Sequence, residues 1–228
     1  LVSPEVLSLA RRDAQMEDVG KRRGHCPTPQ DRINERLVEL GGQGLTVCRL
    51  KGGDPYLFGR GGEEALALVQ AGIPVEVVPG ITTASATAAA TGIPLTHRRV
   101  ARSVRFITGH LALQQAETDW QAIALKQETL VIYMDFTHLK AIAQRLLEAG
   151  LTAATPFALI QNATTPRQRV VHGQLGHAEV AAGKLCLEAG PILVIIGEVT
   201  GLAKELGPEA SAVLKAQQTN PLYWLQSA

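Results

Sequence analysis

The sequence predicts an α/β fold made of two α/β domains with largely parallel or mixed sheets. Short β-branched runs alternate with amphipathic stretches along the chain, which is the pattern of strands alternating with helices. Apolar residues make up 46% and charged residues 19% of the 228 residues, a globular composition with enough chain for one large domain or two modest ones. The predicted strands end in glycine or polar residues, where the ligand-binding loops of such folds begin.

Six apolar runs are predicted strands because they are rich in β-branched residues and end at turn residues. They are residues 45–50, 75–80, 103–109, 129–134, 157–163 and 191–197.

Four stretches between these runs are predicted helices: residues 29–44, 61–73, 138–150 and 178–185. The first has Pro29 near its start, Ile33 and Leu37 on one apolar stripe, and glycines at its end, which is how a helix begins and stops. Residues 110–119 are polar and precede a new series of strands and helices. We therefore predict a domain boundary there, with domains at residues 1–112 and 113–228.

Charge and cysteine usage narrow the class of protein. Lysine and arginine (22) nearly cancel aspartate and glutamate (21), so no overall field favours nucleic acid or a membrane surface as a partner. Cys26, Cys48 and Cys186 are far apart and lack metal-ligand spacing, so we predict packing cysteines in a reducing compartment and no metal site. No apolar run is long enough for a membrane span, and a cytoplasmic protein is predicted.

Three unusual loops follow predicted strands: KGGDPYLFGRGGEE, PGITTAS and QNATTP. Neither GxxxxGK[ST] nor a strand-adjacent GxGxxG is present, so a polyphosphate nucleotide site is not predicted. The loops offer backbone groups, the hydroxyls of Thr82, Thr83 and Thr164, and the carboxylate of Asp54. This set suits a neutral or cationic ligand that carries hydroxyl groups.

Three longer blocks, LKGGDPYLFGRGGEE, VEVVPGITTASATAAATGIPLTHR and SVRFITGHL, resemble the signature blocks of the uroporphyrinogen-III C-methyltransferases of the tetrapyrrole methylase superfamily. The resemblance implies two α/β domains with a ligand cleft between them, and usually a homodimer. It also implies S-adenosyl-L-methionine as methyl donor, with S-adenosyl-L-homocysteine as product. The implied acceptor is uroporphyrinogen III, methylated at C2 and C7 to precorrin-2 on the way to sirohaem, cobalamin or haem d1.

The resemblance also implies site residues, position by position. At the methyl donor it places Gly52, Gly53, Asp54, Leu57, Thr82, Thr83, Met134 and Ala163. At the tetrapyrrole it places Arg60, Glu63, Arg98, His110 and Met134, with Arg60 and Met134 expected at the reacting centre. Because uroporphyrinogen is a polycarboxylate and arginine binds carboxylates bidentately, Arg60, Arg98, Arg99 and Arg102 are expected to form a local positive rim.

Structural alternatives stay open for several of these residues. Asp54 is also suited to capping a turn, Glu63 to the first turn of a helix, and Met134 to a core. Arg60 is also suited to a solvated position, and His110 to a structural one.

Alternatives for the whole protein are a related precorrin methyltransferase and a non-catalytic S-adenosylmethionine-binding protein. An RNA methyltransferase is disfavoured by the neutral charge. The family pattern has a further strand and a GAGPGDP-type loop before the position of Leu1, so we expect an N-terminally incomplete sequence.

Overall fold

The computed structural model describes residues 2–20, 28–109, 118–134, 137–186 and 189–208. The chain divides into two compact units, Leu1–Thr83 and Ala84–Ala228. The boundary predicted near residue 112 falls in residues 110–117, outside the described residues, and it stays a prediction.

The described part of the first unit is built from helices. They are α1 (Pro4–Leu7), α2 (Gln30–Gly42) and α3 (Gly61–Gln70). In α2 the stripe residues Ile33 and Leu37 are buried, because an amphipathic helix turns its apolar face away from water. The helices predicted over residues 29–44 and 61–73 are confirmed.

The strands predicted at residues 45–50 and 75–80 are wrong. Both segments are irregular, and Leu45, Val47 and Val78 are 53%, 39% and 72% exposed. A strand exists only where its backbone groups pair with a neighbouring strand. Among the described residues of this unit, neither segment takes part in a strand ladder, so β-branched composition alone does not make a strand there.

The second unit contains a five-stranded mixed sheet. Its strands are β1 (Ser103–Thr108), β2 (Glu128–Tyr133), β3 (Pro156–Gln161), β4 (Arg169–Gln174) and β5 (Ile192–Ile196), in the order β1-β2-β5-β3-β4. β1 and β2 are parallel, and the other neighbouring pairs are antiparallel. The predicted strands at 103–109, 129–134, 157–163 and 191–197 are confirmed, and the sheet is mixed rather than largely parallel.

β4 was not predicted, because its side chains follow the pattern of an edge strand. It pairs only with β3 among the described strands, and its residues alternate between exposed and half-buried. Polar and charged side chains are usual on edge strands, where they discourage pairing with other chains. Such a strand therefore lacks the apolar run by which the four other strands were recognised.

The described residues of the second unit include the α-helices α4 (Thr83–Thr91, whose first residue ends the first unit), α5 (Trp120–Ile123), α6 (Leu139–Glu148), α7 (Ala178–Ala182) and α8 (Ala203–Leu206). Short 3₁₀ helices cover Leu175–His177 and Glu198–Leu202. The predictions at 138–150 and 178–185 are confirmed. Within the described ranges, none of the helices has the length and apolarity needed to cross a bilayer.

The core of the second unit lies against the sheet. The central strands β2, β3 and β5 are buried along almost their whole length, and α6 packs Leu139, Ile142 and Leu146 into the same cluster. The prediction that the cysteines are packing residues is wrong for Cys48 and Cys186, which are both exposed. Cys26 lies outside the described residues.

Candidate active site

In the first unit, Asp54 organises the glycine-rich loop. Its Oδ1 accepts hydrogen bonds from the backbone N–H groups of Tyr56 (2.9 Å) and Leu57 (3.2 Å), and its Oδ2 accepts one from Gly80 (3.1 Å). The hydrogen bond from Gly80, followed by that from Tyr56, holds the pKa of the Asp54 carboxyl below its ordinary value. Asp54 therefore caps a turn, as the structural alternative states, and also joins this loop to the PGITT loop.

The two loops approach so closely that glycine is needed at Gly80. A Cβ added to Gly80 would lie 2.5 Å from the carbonyl oxygen of Gly53, a separation that atoms not bonded to each other do not tolerate. On the same side, a Cβ on Gly53 would lie 3.8 Å from Oγ1 of Thr83. The structure thus brings together Gly53, Asp54 and Thr83, three residues predicted to contact the methyl donor.

Arg60 and Glu63 form an ion pair with each other. Nε of Arg60 donates to both carboxylate oxygens of Glu63, at 2.9 and 3.1 Å, and Nη2 donates to Oε2. Arg60 has the left-handed backbone conformation (φ 60°) just before α3, and Glu63 stands in the first turn of that helix. The pairing raises the pKa of the Arg60 guanidinium. Two residues predicted to face the tetrapyrrole therefore hold each other in this structure.

In the second unit, three strands point their carboxyl ends to one edge of the sheet. β1 and β2 are parallel, and β2 and β3 are each antiparallel to β5, so β1, β2 and β3 run in the same direction. Met134 follows β2 and Ala163 follows the end of β3. Both therefore lie at the edge where α/β sheets bind ligands. His110, which comes shortly after β1, lies outside the described residues.

Met134 is not a core residue. It is 66% exposed and has a positive φ of 61°. A left-handed backbone conformation is unfavourable for a residue with a side chain, and such conformations cluster at functional sites. The preceding residue, Tyr133, is buried, and its hydroxyl accepts a hydrogen bond from the N–H of Ala84 at 3.0 Å. The structure thus anchors the end of β2 and leaves the Met134 side chain at the surface.

The loop after β3 is held by two buried amides that sequence reasoning missed. Nε2 of Gln161 donates to the carbonyl of Cys186 at 2.5 Å, and Nδ2 of Asn162 donates to the carbonyl of Ala189 at 2.8 Å. A Cβ on Gly190 would lie 1.8 Å from Oδ1 of Asn162, so glycine is required there. The QNA sequence was the available signal, since buried polar side chains at the end of an apolar strand usually find hydrogen-bond partners.

Arg98 lies at the opposite ends of the strands from Met134, where β1 and β2 begin. It lines a cavity of about 310 Å³ with Arg99, Val100, Arg102 and Gln127, at the amino ends of β1 and β2. A strand of six residues spans roughly 20 Å, so the structure does not bring Arg98 together with Met134. Within the described ranges, the guanidinium groups of Arg98, Arg99 and Arg102 form no ion pair.

Glu64 is a further residue that sequence reasoning missed. It is buried in α3, and its carboxylate accepts hydrogen bonds from Lys51 (2.6 Å), Gln30 (2.9 Å) and Arg49 (3.3 Å). The signal was the second glutamate of RGGEE, because an acid on the inner face of a helix needs a cationic partner. Among the described residues, no group of three side chains is suited to a metal ion.

Residues 1–179 match the family model of the tetrapyrrole (corrin/porphyrin) methylases. Among curated proteins, the siroheme synthase of Azotobacter vinelandii is 50% identical over 206 residues, and that of Pseudomonas aeruginosa (strain UCBPP-PA14) is 52% identical over the same length. Each alignment covers 90% of this chain and 44% of the relative. The chain therefore spans less than half the length of these relatives.

Solved structures of tetrapyrrole methyltransferases are also similar to this chain. The native form of uroporphyrin III C-methyl transferase from Thermus thermophilus superposes with a TM-score of 0.70 at 37% identity, over 89% of this chain and 84% of that one. The Thermus thermophilus enzyme complexed with S-adenyl homocysteine gives 0.64 at 40% identity, over 76% and 75%. A cobalt precorrin-4 methyltransferase has a TM-score of 0.71 at 21% identity, over 87% and 81%, which is a likeness of fold alone.

Proposed function

The chain belongs to the tetrapyrrole methylase family, and we propose that it transfers methyl groups from S-adenosyl-L-methionine to uroporphyrinogen III, at C2 and C7, to give precorrin-2. The observation that carries this proposal is Met134, an exposed apolar side chain with a positive φ at the carboxyl edge of the sheet. The likeness to an enzyme of that name, at 37% to 40% identity, supports the choice of acceptor. A homodimer in the cytoplasm stays a prediction.

The residues present fit the methyl donor. When bound, S-adenosyl-L-methionine supplies an electrophilic methyl group on a positively charged sulfur. Its ribose hydroxyls form hydrogen bonds with small polar groups. Thr82 and Thr83 supply two such groups: both residues are half-buried, and they follow Gly80, which donates a hydrogen bond to Asp54. Gly52 is exposed and has no side chain, so a ligand can approach its backbone closely.

The chain's own contribution to this reaction is to position the reactants. Transfer from sulfur to carbon proceeds in line, so correct orientation supplies much of the acceleration. Met134 offers an apolar surface beside the acceptor ring, while Arg60 offers a planar fork to one of its carboxylates. Because Arg60 is paired with Glu63, binding of a substrate carboxylate requires the guanidinium to share or exchange that partner.

The proposal is tested by incubating the purified chain with uroporphyrinogen III and S-adenosyl-L-methionine and measuring product masses. Two added methyl groups are expected. Turnover of a later precorrin without turnover of uroporphyrinogen III would assign the chain to a related precorrin methyltransferase. Binding of S-adenosyl-L-homocysteine in calorimetry without any methyl transfer would favour a non-catalytic binding protein.

Replacing Met134 with leucine is expected to leave stability unchanged within about 0.5 kcal/mol, because the side chain is exposed. Methylation is expected to become incomplete, with monomethylated product accumulating, because the leucine side chain is branched and stiffer where the ring is repositioned between transfers. Chromatographic product ratios measure this. The chain's only other methionine, Met16, is 62% exposed, and Met16→Leu is the matched control. An unchanged ratio in Met134→Leu would remove Met134 from the reacting centre.

Replacing Arg60 with lysine keeps the charge and removes the planar fork. The KM for uroporphyrinogen III is expected to rise by about tenfold, because a bidentate carboxylate contact is lost. Donor affinity and stability should change little, since the Arg60–Glu63 pair is largely exposed and such pairs contribute about 0–1 kcal/mol. Arg32→Lys, in the exposed Arg32–Glu35 pair of α2, is the control. A parental KM in Arg60→Lys would reduce Arg60 to diffuse positive charge.

A further inference from the structure

Glu64 is the carboxylate at which three segments of the first unit meet. Its side chain is 5% exposed. Oε2 accepts a hydrogen bond from Nζ of Lys51, and Oε1 accepts from Nε2 of Gln30 and from Nε of Arg49. α2, α3 and the segment before the glycine loop are thus joined through one side chain.

The partners of Glu64 are themselves shielded from water. The side chain of Lys51 is 11% exposed and that of Arg49 is 30% exposed. Removing one member of a buried ion pair leaves the other charge without compensation in a poorly solvated place, which is strongly unfavourable. The Lys51–Glu64 pair therefore differs from the exposed Arg60–Glu63 pair, although Glu63 and Glu64 are neighbours in α3.

The position of the Lys51–Glu64 contact in the chain gives it a specific consequence. Lys51 and Glu64 stand at the two ends of residues 52–63, the segment that holds Gly52, Gly53, Asp54, Leu57, Arg60 and Glu63. Closing a loop at its base restricts the conformations of every residue inside it. The hydrogen bond from Gly80 to Asp54 holds the same loop near its start, so the base contact and the Asp54 contact together fix the backbone of residues 52–54.

We propose that Glu64, acting through Lys51, is a positioning residue that holds residues 52–63 in the conformation that binds S-adenosyl-L-methionine. The inference rests on the proposed function. Glu64 itself is enclosed by protein and does not touch the donor. Its effect is therefore on donor affinity, through the backbone of Gly52 and Gly53, rather than on the chemical step.

The test is calorimetric binding of S-adenosyl-L-homocysteine to the parent chain, to Glu64→Gln and to Glu35→Gln. Glu35 is an exposed glutamate of the same unit, paired with Arg32 on α2, so it controls for the loss of one carboxylate. In Glu64→Gln the dissociation constant is expected to rise by about tenfold or more, because Lys51 loses its buried counter-charge. In Glu35→Gln it is expected to stay within about twofold of the parent, as for other exposed pairs.

Two further readouts separate positioning from a general loss of structure. In Glu64→Gln the donor KM should rise while kcat at saturating donor stays within about twofold, because the reacting groups are unchanged. Amide hydrogen exchange should accelerate in residues 52–63 and not in β2 or β3. At position 51, Lys51→Arg should retain donor affinity and Lys51→Met should lose it.

The outcomes are distinguishable. If the parent chain does not bind S-adenosyl-L-homocysteine, the proposed function fails, and this inference fails with it. If the parent binds but Glu64→Gln and Glu35→Gln bind equally well, only the inference is overturned. Where Glu64→Gln does not fold, the Lys51 pair decides: loss of affinity in Lys51→Met with retention in Lys51→Arg supports the inference, and equal affinity in the two overturns it.

Discussion

Replacing Asp54 with alanine is expected to weaken binding of S-adenosyl-L-homocysteine by about tenfold or more, since three backbone N–H groups lose their acceptor. These groups belong to Tyr56, Leu57 and Gly80. Two of them set the turn that follows Asp54, and the third ties the PGITT loop to it. The mutation is therefore expected to disturb both predicted donor-binding loops, and calorimetry measures the affinity that remains.

The control for this variant is Asp119→Ala. Asp119 caps α5 by accepting a hydrogen bond from the N–H of Ala122 at 2.9 Å. It shares the chemistry of an aspartate cap and lies outside the predicted donor loops. If Asp54→Ala bound the probe within about twofold of the parent, Asp54 would be a turn cap without consequence for the donor.

The Asp54 carboxyl also carries a pH dependence with a defined sign. Folding lowers its pKa from the ordinary value of 3.8, through the hydrogen bonds from Gly80, Tyr56 and Leu57. The stabilising contribution is therefore complete above pH 3.8 and is lost as the pH falls through the folded-state pKa. NMR titration of the Asp54 side-chain carbon should give a pKa below 3.8. A value at or above 3.8 would mean that these hydrogen bonds are absent in solution.

Replacing Phe157 with alanine is expected to cost about 3–5 kcal/mol of the free energy of unfolding, the usual range for a large buried aromatic. Phe157 is 1% exposed and lies near the start of β3, an interior strand of the sheet. Its ring lies over Gly173 of β4, where an added Cβ would be 2.8 Å from Cζ. Truncation leaves a cavity in the core cluster on this face of the sheet, which the surrounding side chains can only partly fill. Urea unfolding monitored by circular dichroism measures the loss.

Val180→Ala is the matched control for the core variant. Val180 belongs to the same unit, on α7, and is 66% exposed. Its truncation should change the free energy of unfolding by less than about 0.5 kcal/mol. A loss below about 1 kcal/mol in Phe157→Ala would show that the core relaxes around the missing ring and that the side chains around Phe157 are loosely packed.

The carboxyl edge of the sheet shows which structural features a local sequence pattern predicts and which it does not. Residues 129–134 and 157–163 were recognisable as strands because buried central strands need a continuous apolar run. That run predicts where each strand ends, and so which residues follow it. The positive φ and exposure of Met134 had no such signal, because backbone conformation after a strand depends on what the neighbouring loops permit.

The first unit shows the opposite case. Residues 45–50 and 75–80 have strand composition and do not form strands among the described residues, because pairing is a property of two segments and composition is a property of one.

The helix α4 was not predicted either, for a reason that lies in its composition. Its buried residues Ala84, Thr87 and Thr91 are small, so the helical period was present without the large apolar residues that usually reveal it.

By itself, the sequence determined the α/β class, four of the five strands of the sheet, the amphipathic helices and the family to which the motif blocks point. Each of these depends on residues close together in the chain, where hydrophobic period and turn chemistry act directly. Only the tertiary structure decided that Arg60 pairs with Glu63 and that Asp54 accepts a hydrogen bond from Gly80. The same is true of the hydrogen bonds that Glu64 accepts from Lys51 and Gln30. Such contacts depend on distance in space and on burial, because a charged or polar group pairs with whichever partner folding brings within reach.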